Sequence, residues 1–335
     1  MLVTQFLAVA VSSFVVTAIL CHFIIPMLSA KHIGQSIRAE GPKSHQGKAG
    51  TPTMGGICFI MGMLGTLFIV AIIYAIKGEA SELIPMALTV CLALFNGLIG
   101  LYDDYKKLIH KKNEGLKPGQ KFALQCVAAA LYLGIMTVSG HIDTALHIPF
   151  TEKTLELGLG YYVGAMFFIV GIVNSVNLTD GIDGLATSVT LVVTVFIAFV
   201  GMNYLDDSMT LVSAALIGSL LAFLRKNCHV AEVFMGDTGS LFLGGAIAGA
   251  AFMLNDMLCM AIACGVFIIE ALSVMIQVTV FKLTKKNGSE GKRVFLMTPI
   301  HHHFEHLKNP WSENKIVLVF SFASILFCVL AWFGL

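Results

Sequence analysis

Charged residues are scarce in this 335-residue chain: Asp, Glu, Lys and Arg make up 12% of it, whereas hydrophobic residues make up 57%. A soluble globular domain carries about 25% charged residues, so a water-soluble fold is excluded and a polytopic membrane protein is predicted. The formal net charge is only +1. Without a global basic field, no nucleic-acid partner is expected.

Several motifs with well-defined chemistry are also missing. None of the eight cysteines forms a Cys-x-x-Cys pair, and almost all lie in apolar stretches, so we interpret them as small core residues. There is no His-Glu-x-x-His zinc motif and no Gly-x-x-x-x-Gly-Lys-Ser/Thr phosphate loop. No Lys or Arg precedes residue 31, so the first apolar segment lacks the basic start of a signal peptide.

Apolar segments long enough to cross a membrane occur at ten places. They run approximately over residues 2–28, 55–76, 84–102, 122–139, 158–176, 185–202, 209–224, 240–254, 257–281 and 316–335. These segments show no alternation of polar and apolar residues, so helices are predicted rather than the strands of a barrel. The predicted fold class is an all-α, polytopic integral membrane protein with about ten transmembrane helices, forming a single domain over residues 1–335.

Basic residues fall in alternate gaps between these segments. The first, third, fifth, seventh and ninth gaps hold 19 of the 21 Lys and Arg residues, so the positive-inside rule predicts that these five gaps face the cytoplasm. Both termini are then expected outside it. Only Asn255 and Asp256 separate the eighth and ninth segments; the charge bias predicts a turn there, because merging the two would send the basic ninth gap outside.

The third gap begins with Asp103 and Asp104, directly after an apolar helix and before Lys106. Adjacent carboxylates at a membrane surface can bind a divalent cation or take up a proton, and flanking ammonium groups suit a phosphorylated partner. The alternative is a solvated helix end. The pair Asp206 and Asp207, in an outside gap without Lys or Arg, is interpreted as such a turn.

The fifth gap gives a stronger signal in the sequence NSVNLTDGIDGLATS. Asn174, Asn177 and Asp180 recur at every third position, and two Asp-Gly turns containing Asp180 and Asp183 follow. Glycine lets backbone N–H groups approach a ligand, and the next helix N-terminus favours anions. Asp-Gly also supplies ordinary Asx-turns and caps, but two such turns on the predicted cytoplasmic side favour a ligand or metal site.

The seventh gap places Asp237 between glycines, just before an apolar helix. Mg²⁺ typically takes one or two protein carboxylates and completes its shell with substrate phosphate and water, so Asp237 is a candidate metal ligand. Phe234, one turn earlier, can stack on a flat base. The alternative is that Asp237 is a helix N-cap and Phe234 an anchor at the membrane interface.

Two further gaps carry groups suited to phosphate. The ninth contains TPIHHHFEHLK with His301, His302 and His303, for which phosphate oxygens fit better than zinc because consecutive histidines point in different directions. The first, EGPKSHQGKAGTPTMGG, is rich in Gly and Pro and carries Lys48. This composition is typical both of a flexible loop that faces phosphate and of an ordinary basic loop on the cytoplasmic side.

Taken in order, GTPTMGG, GLYDDYKK, NSVNLTDGIDGLATS, EVFMGDTGSL and TPIHHHFEH closely resemble the motifs of the phospho-N-acetylmuramoyl-pentapeptide transferases, a branch of the polyprenyl-phosphate N-acetylhexosamine 1-phosphate transferases. The resemblance implies a Mg²⁺-dependent transferase of peptidoglycan biosynthesis in the bacterial cytoplasmic membrane. Its substrates would be UDP-N-acetylmuramoyl-pentapeptide and undecaprenyl phosphate, and its products lipid I and UMP. A homodimer is also implied.

The resemblance assigns roles residue by residue. Asp237 would bind Mg²⁺, while Asp103 and Asp104 would flank the lipid phosphate, with Asp103 as the candidate base. His301, His302 and His303 would face the pyrophosphate or the sugar. The implied substrate-binding residues are Lys48, Thr53, Lys106, Lys121, Asn177, Asp180, Asp183 and Phe234.

Two other functions fit parts of the sequence. A sister transferase that uses UDP-N-acetylglucosamine would differ mainly in the ninth gap. A secondary transporter, from another class, could use Glu270 within the ninth apolar segment as part of an ion path. Glu270, Ser273 and Gln277 share one helix face, which we interpret as the lining of a groove between helices. Because the other polar clusters end the helices on one side, the transferase is favoured.

Overall fold

The structure is a computed structural model that describes residues 2–30, 50–110, 115–285 and 290–335. Lys48 lies outside these ranges. Helices dominate the described chain. In order they are α1 (Leu2–Ala30), α2 (Gly56–Lys77), α3 (Ile84–His110, after a 3₁₀ turn at Ala80–Leu83), α4 (Pro118–Val138), α5 (Leu159–Thr179), α6 (Leu185–Asn203), α7 (Asp207–Asn227), α8 (Gly236–Met253), α9 (Met257–Ala263), α10 (Gly265–Thr284), α11 (Ile300–Glu305) and α12 (Glu313–Gly334).

Nine of the described helices are long and apolar enough to span a membrane, which confirms a multi-pass membrane protein. They are α1 to α7, α10 and α12. The predicted span 240–254 corresponds to α8, which is outside this group of nine because five glycines and an acidic first turn lower its hydropathy. The predicted span 257–281 is not one helix, since the chain breaks at Cys264 between α9 and α10.

A turn separates α8 from α9, as the charge pattern predicted. Asn255 has a left-handed backbone, with φ of 54°. Asp256 then caps α9 by accepting a hydrogen bond from the backbone N–H of Cys259 at 2.9 Å. The two apolar segments are therefore distinct helices.

The all-α prediction is wrong for the connection between α4 and α5. There β1 (Ala145–His147) and β2 (Thr154–Glu156) form an antiparallel hairpin, with Leu146 opposite Leu155. Each strand has three residues, which is too short for alternation to show in the sequence. The hairpin is held against the bundle because Nδ1 of His147 lies 2.6 Å from Oδ2 of Asp256.

The centre of the bundle is α8, in which every residue from Thr238 to Phe252 is buried. It packs closely on α3 through small residues: a methyl group at Gly245 would lie 2.8 Å from the Cα of Ala93, and one at Gly100 would overlap the carbonyl of Asp237. Small residues let two helix backbones approach each other in a membrane. This packing brings the first turn of α8 to the end of α3.

Candidate active site

Asp104 on α3 caps the first turn of α8. Its Oδ1 accepts from the backbone N–H of Asp237 at 3.2 Å, and its Oδ2 accepts from the backbone N–H of Thr238 at 2.9 Å and from the Thr238 hydroxyl at 2.7 Å. The side chain is buried, with 5% exposed. A carboxylate that satisfies free N–H groups at a helix start is stabilising, so Asp104 fixes the position of Asp237.

Asp237 is the centre of a network of charged and polar groups. Nζ of Lys107 lies 2.7 Å from Oδ2 of Asp103 and 2.8 Å from Oδ2 of Asp237. Lys121 approaches the same Asp237 oxygen at 3.2 Å, and the Asn177 amide donates to the other oxygen at 2.8 Å. Four helices, α3, α4, α5 and α8, thus meet at one carboxylate.

The charge state of Asp237 follows from these neighbours. Burial of the carboxyl opposes its ionisation, but the ammonium groups of Lys107 and Lys121, 2.8 and 3.2 Å from its Oδ2, favour the ionised form. Oxygens of Asp103, Asp104 and Asp237 all lie within 4.8 Å of one another. This arrangement can hold a divalent cation.

The segment before α8 is paired with the PTMGG segment before α2. The Phe234 N–H donates to the carbonyl of Pro52 at 2.8 Å, and the Gly55 N–H donates to the Phe234 carbonyl at 2.9 Å. Gly236 has φ of 72°, and a Cβ there would lie 2.7 Å from the Asp104 carboxylate and 2.9 Å from the Thr53 hydroxyl. Glycine is therefore required at this position. Thr53 is buried behind it, while the Phe234 ring is partly exposed.

The two Asp-Gly turns after α5 bring Asp180 and Asp183 to the same end of the bundle. Burial, followed by the negative charges of Asp237, Asp104 and Asp183, raises the pKa of Asp180 to about 8. The folded protein therefore favours the neutral form of Asp180. Asp183 is buried and accepts from the Ala231 N–H at 3.0 Å, which ties this loop to the segment that leads to Phe234.

The three consecutive histidines have three different surroundings. His301 is fully buried, with Nδ1 3.1 Å from Oε1 of Glu270. The His302 ring lies beside it at 4.1 Å and is oriented by Glu305 at 2.6 Å. His303 accepts from the Leu296 N–H at 3.2 Å. Of the three, His301 has no exposed surface through which to meet a substrate in this conformation.

The structure adds Lys107 to the residues selected from the sequence. The family resemblance points to Lys106, but Lys107 makes the bridge between Asp103 and Asp237. The signal was available, since Lys107 is four residues after Asp103 and therefore on the same helix face. Asp206 and Asp207 lie far from this network. Asp206 caps α7 by accepting from the Met209 N–H at 2.7 Å, and Asp207 accepts from the Tyr74 hydroxyl.

Comparisons with known proteins find relatives of this chain along nearly its whole length. Residues 86–255 match the family model described as glycosyl transferase family 4, and residues 48–60 match phospho-N-acetylmuramoyl-pentapeptide-transferase signature 1. A phospho-N-acetylmuramoyl-pentapeptide-transferase of Clostridium perfringens is 46% identical over 97% of this chain and 95% of its own length. Proteins of the same name from Geobacillus thermodenitrificans and Caldicellulosiruptor bescii are 41% and 40% identical, over 97% and 95% of this chain and 97% and 94% of their own lengths.

Proposed function

Because this chain belongs to the phospho-N-acetylmuramoyl-pentapeptide-transferase family, we propose that it uses UDP-N-acetylmuramoyl-pentapeptide and undecaprenyl phosphate as its substrates, forming lipid I and UMP. As a member of the family, it is a glycosyl-1-phosphate transferase that transfers phospho-N-acetylmuramoyl-pentapeptide to a lipid carrier in peptidoglycan synthesis. The nucleotide donor, the length of the lipid and the metal are the finer parts of the proposal.

The observation that carries the proposal is the convergence of helix ends on Asp237. Its carboxylate is contacted by Lys107, Lys121 and Asn177 and lies next to Asp103. Phosphoryl transfer requires charge neutralisation and alignment more than covalent help from the protein. Ammonium and amide groups around an ionised carboxylate supply both.

The residues also fit a Mg²⁺ ion. Lys107 already places one point positive charge between Asp103 and Asp237, 2.7 and 2.8 Å from their oxygens, so the same two carboxylates suit a small hard cation. Asp237 would hold the ion, with Asp103 within reach as a second ligand. When bound, Mg²⁺ would neutralise charge on the donor pyrophosphate.

The residues of this chain then have separate roles in the reaction. A phosphate oxygen of the lipid attacks the phosphorus bonded to the sugar, the bond from that phosphorus to the oxygen of the uridine phosphate breaks, and UMP leaves with that oxygen. Lys107 and Lys121 orient the phosphates and balance their charge. Asp104 acts through Asp237 by fixing the start of α8. Phe234, Asp180 and Asp183 form one wall of the donor pocket, to which Lys48 and Lys106 are also assigned.

The topology and assembly complete the proposal. With α8 as a tenth crossing, both termini lie outside the cytoplasm and the site faces the cytoplasm, where a soluble nucleotide and a bilayer-anchored phosphate can both arrive. The location would be the bacterial cytoplasmic membrane. A homodimer is proposed as the assembly, which the mass of the purified protein–detergent complex tests.

The decisive experiment supplies purified protein with undecaprenyl phosphate, Mg²⁺ and either UDP-N-acetylmuramoyl-pentapeptide or UDP-N-acetylglucosamine, and measures UMP. Release from the first donor alone is expected. Release from the second alone would favour the sister transferase. UMP release from neither would overturn the substrates proposed. The transporter alternative drew on Glu270, and in the structure this carboxylate is fully buried with Oε1 3.1 Å from Nδ1 of His301.

A further inference from the structure

Glu270 and His301 form a pair of polar side chains with no exposed surface. Glu270 lies in α10 and His301 in α11, and Oε1 of the first is 3.1 Å from Nδ1 of the second. Among the described residues, the remaining atoms Oε2 of Glu270 and Nε2 of His301 have no hydrogen-bond partner. Burying such groups opposes folding, whereas apolar side chains would fill the space more favourably. A pair kept under these conditions calls for a role beyond packing.

The His301 ring lies directly against the turn after α5. A methyl group at Gly181 would overlap Nε2 and Cε1 of His301, and it would lie 3.2 Å from Nε2 of His302. Gly181 follows Asp180 and is part of the first Asp-Gly turn. The imidazole therefore packs against the backbone of this turn. A shift of the ring would displace Asp180.

The face of α10 that carries Glu270 also holds the segment leading to α11. Oε1 of Gln277, two helical turns after Glu270, accepts from the backbone N–H of Val294 at 2.9 Å and of Phe295 at 3.0 Å. The polar face predicted to line a groove thus binds the histidine segment at two places. These two hydrogen bonds fix the position of the segment before His301 along α10.

We propose that Glu270 is a positioning residue of the transferase, which orients His301 beneath the Asp180–Gly181 turn of the donor pocket. A carboxylate that accepts from Nδ1–H fixes both the orientation and the tautomer of an imidazole. Neither Glu270 nor His301 contacts substrate in this scheme. The inference rests on the proposed function, because that function makes the turn part of the nucleotide-donor site.

The test uses the purified full-length protein with changes at Glu270. Glu270→Ala removes the acceptor and should raise the KM for UDP-N-acetylmuramoyl-pentapeptide and the Kd for UMP by about 10- to 100-fold. The KM for undecaprenyl phosphate should stay within about two-fold, since a distant contact is unchanged. Glu270→Gln keeps an acceptor oxygen and should remain within about three-fold of the unmodified protein. Ser273→Ala, one turn along α10, is the matched control and should bind donor normally.

A second variant approaches the contact from the other side. Gly181→Ala would push the turn away from the His301 ring, and it should show the same selective loss of donor affinity as Glu270→Ala. This keeps the inference testable if Glu270→Ala does not fold, which the melting temperature reveals.

Hydrogen exchange separates this inference from the proposed function. Exchange of backbone amides in residues 176–186 should rise in Glu270→Ala and not in Glu270→Gln, while exchange in the 145–156 hairpin stays constant. If the unmodified protein releases no UMP, the proposed substrates fail and the exchange result still decides the role of Glu270. Unchanged exchange and UMP affinity in folded Glu270→Ala would overturn the role. So would equal rises in both KM values, or a Glu270→Gln variant no better than Glu270→Ala.

Discussion

Replacing Asp104 by asparagine tests whether this carboxylate acts by holding α8 in place. The carboxylate accepts three hydrogen bonds from the first turn of α8, at 3.2, 2.9 and 2.7 Å. Asparagine has one acceptor oxygen, and its amide would face a backbone N–H. Losing a hydrogen bond to a charged group costs about 1.5–3 kcal/mol, and losing a negative charge at a helix start adds about 0.3–1 kcal/mol.

Asp104→Asn should therefore lower the free energy of unfolding by about 2–4 kcal/mol. Because α8 carries Asp237, a shift of about 1 Å should reduce kcat by about 100-fold. The assay combines melting in detergent with steady-state UMP release at saturating Mg²⁺.

Asp206→Asn is the matched control, because Asp206 caps α7 at 2.7 Å from the Met209 nitrogen and lies far from the network. Asn caps a helix about as well as Asp, so this variant should keep its stability within about 0.5 kcal/mol and should keep its turnover. A normal kcat and melting temperature for Asp104→Asn would refute the positioning role. Equal losses of turnover in both variants would show that a destabilised bundle, rather than the position of Asp237, limits activity.

Three further changes test the rest of the site. Asp237→Asn should lower kcat by at least about 100-fold, and near-normal Mg²⁺-dependent UMP release would rule out Asp237 as the metal ligand. Phe234→Ala should raise the donor KM by about 5- to 100-fold through loss of a base stack, with tryptophan restoring it; a matching rise in the lipid KM would contradict the pocket. Burial is the main reason that the pKa of Asp180 is raised to about 8. The contribution of Asp180 to the free energy of unfolding is therefore highest at about pH 4 and below, and it falls as the pH rises from there through 8. Asp180→Asn should thus melt higher than the unmodified protein at pH 9 and lose this advantage at pH 4, whereas a difference independent of pH would contradict the shift.

Much of the fold was predictable because bilayer crossing imposes length and apolarity on a helix. The turn at Asn255 and Asp256 followed from charge, which topology constrains strongly. The break at Cys264 was missed, since both sides of it are apolar and the mark in the sequence is a single glycine, Gly265, which a helix can tolerate. The hairpin was missed because three residues per strand carry too little periodicity.

The candidate site was also predictable from the sequence only in part. Residue types and spacing selected Asp103, Asp237 and Asn177, which the structure brings together. The part played by Asp104 was hidden, because its partners are more than 130 positions away in the chain. Spacing likewise placed His301 with its two neighbours, whereas its burial depends on Glu270, which lies in another helix.

The glycine-rich α8 also has a consequence for how the protein is made. As the proposed tenth crossing, α8, with five glycines and with Asp237 in its first turn, would gain less from lipid contact than its neighbours do, so its insertion would depend on contacts with α3 and the other surrounding helices. Since α3 precedes α8 along the chain, the surface that receives α8 is synthesised first. We expect substitutions on the contact face of α3, such as at Gly100, to appear as failed insertion and rapid degradation of the newly made chain before any effect on turnover can be measured.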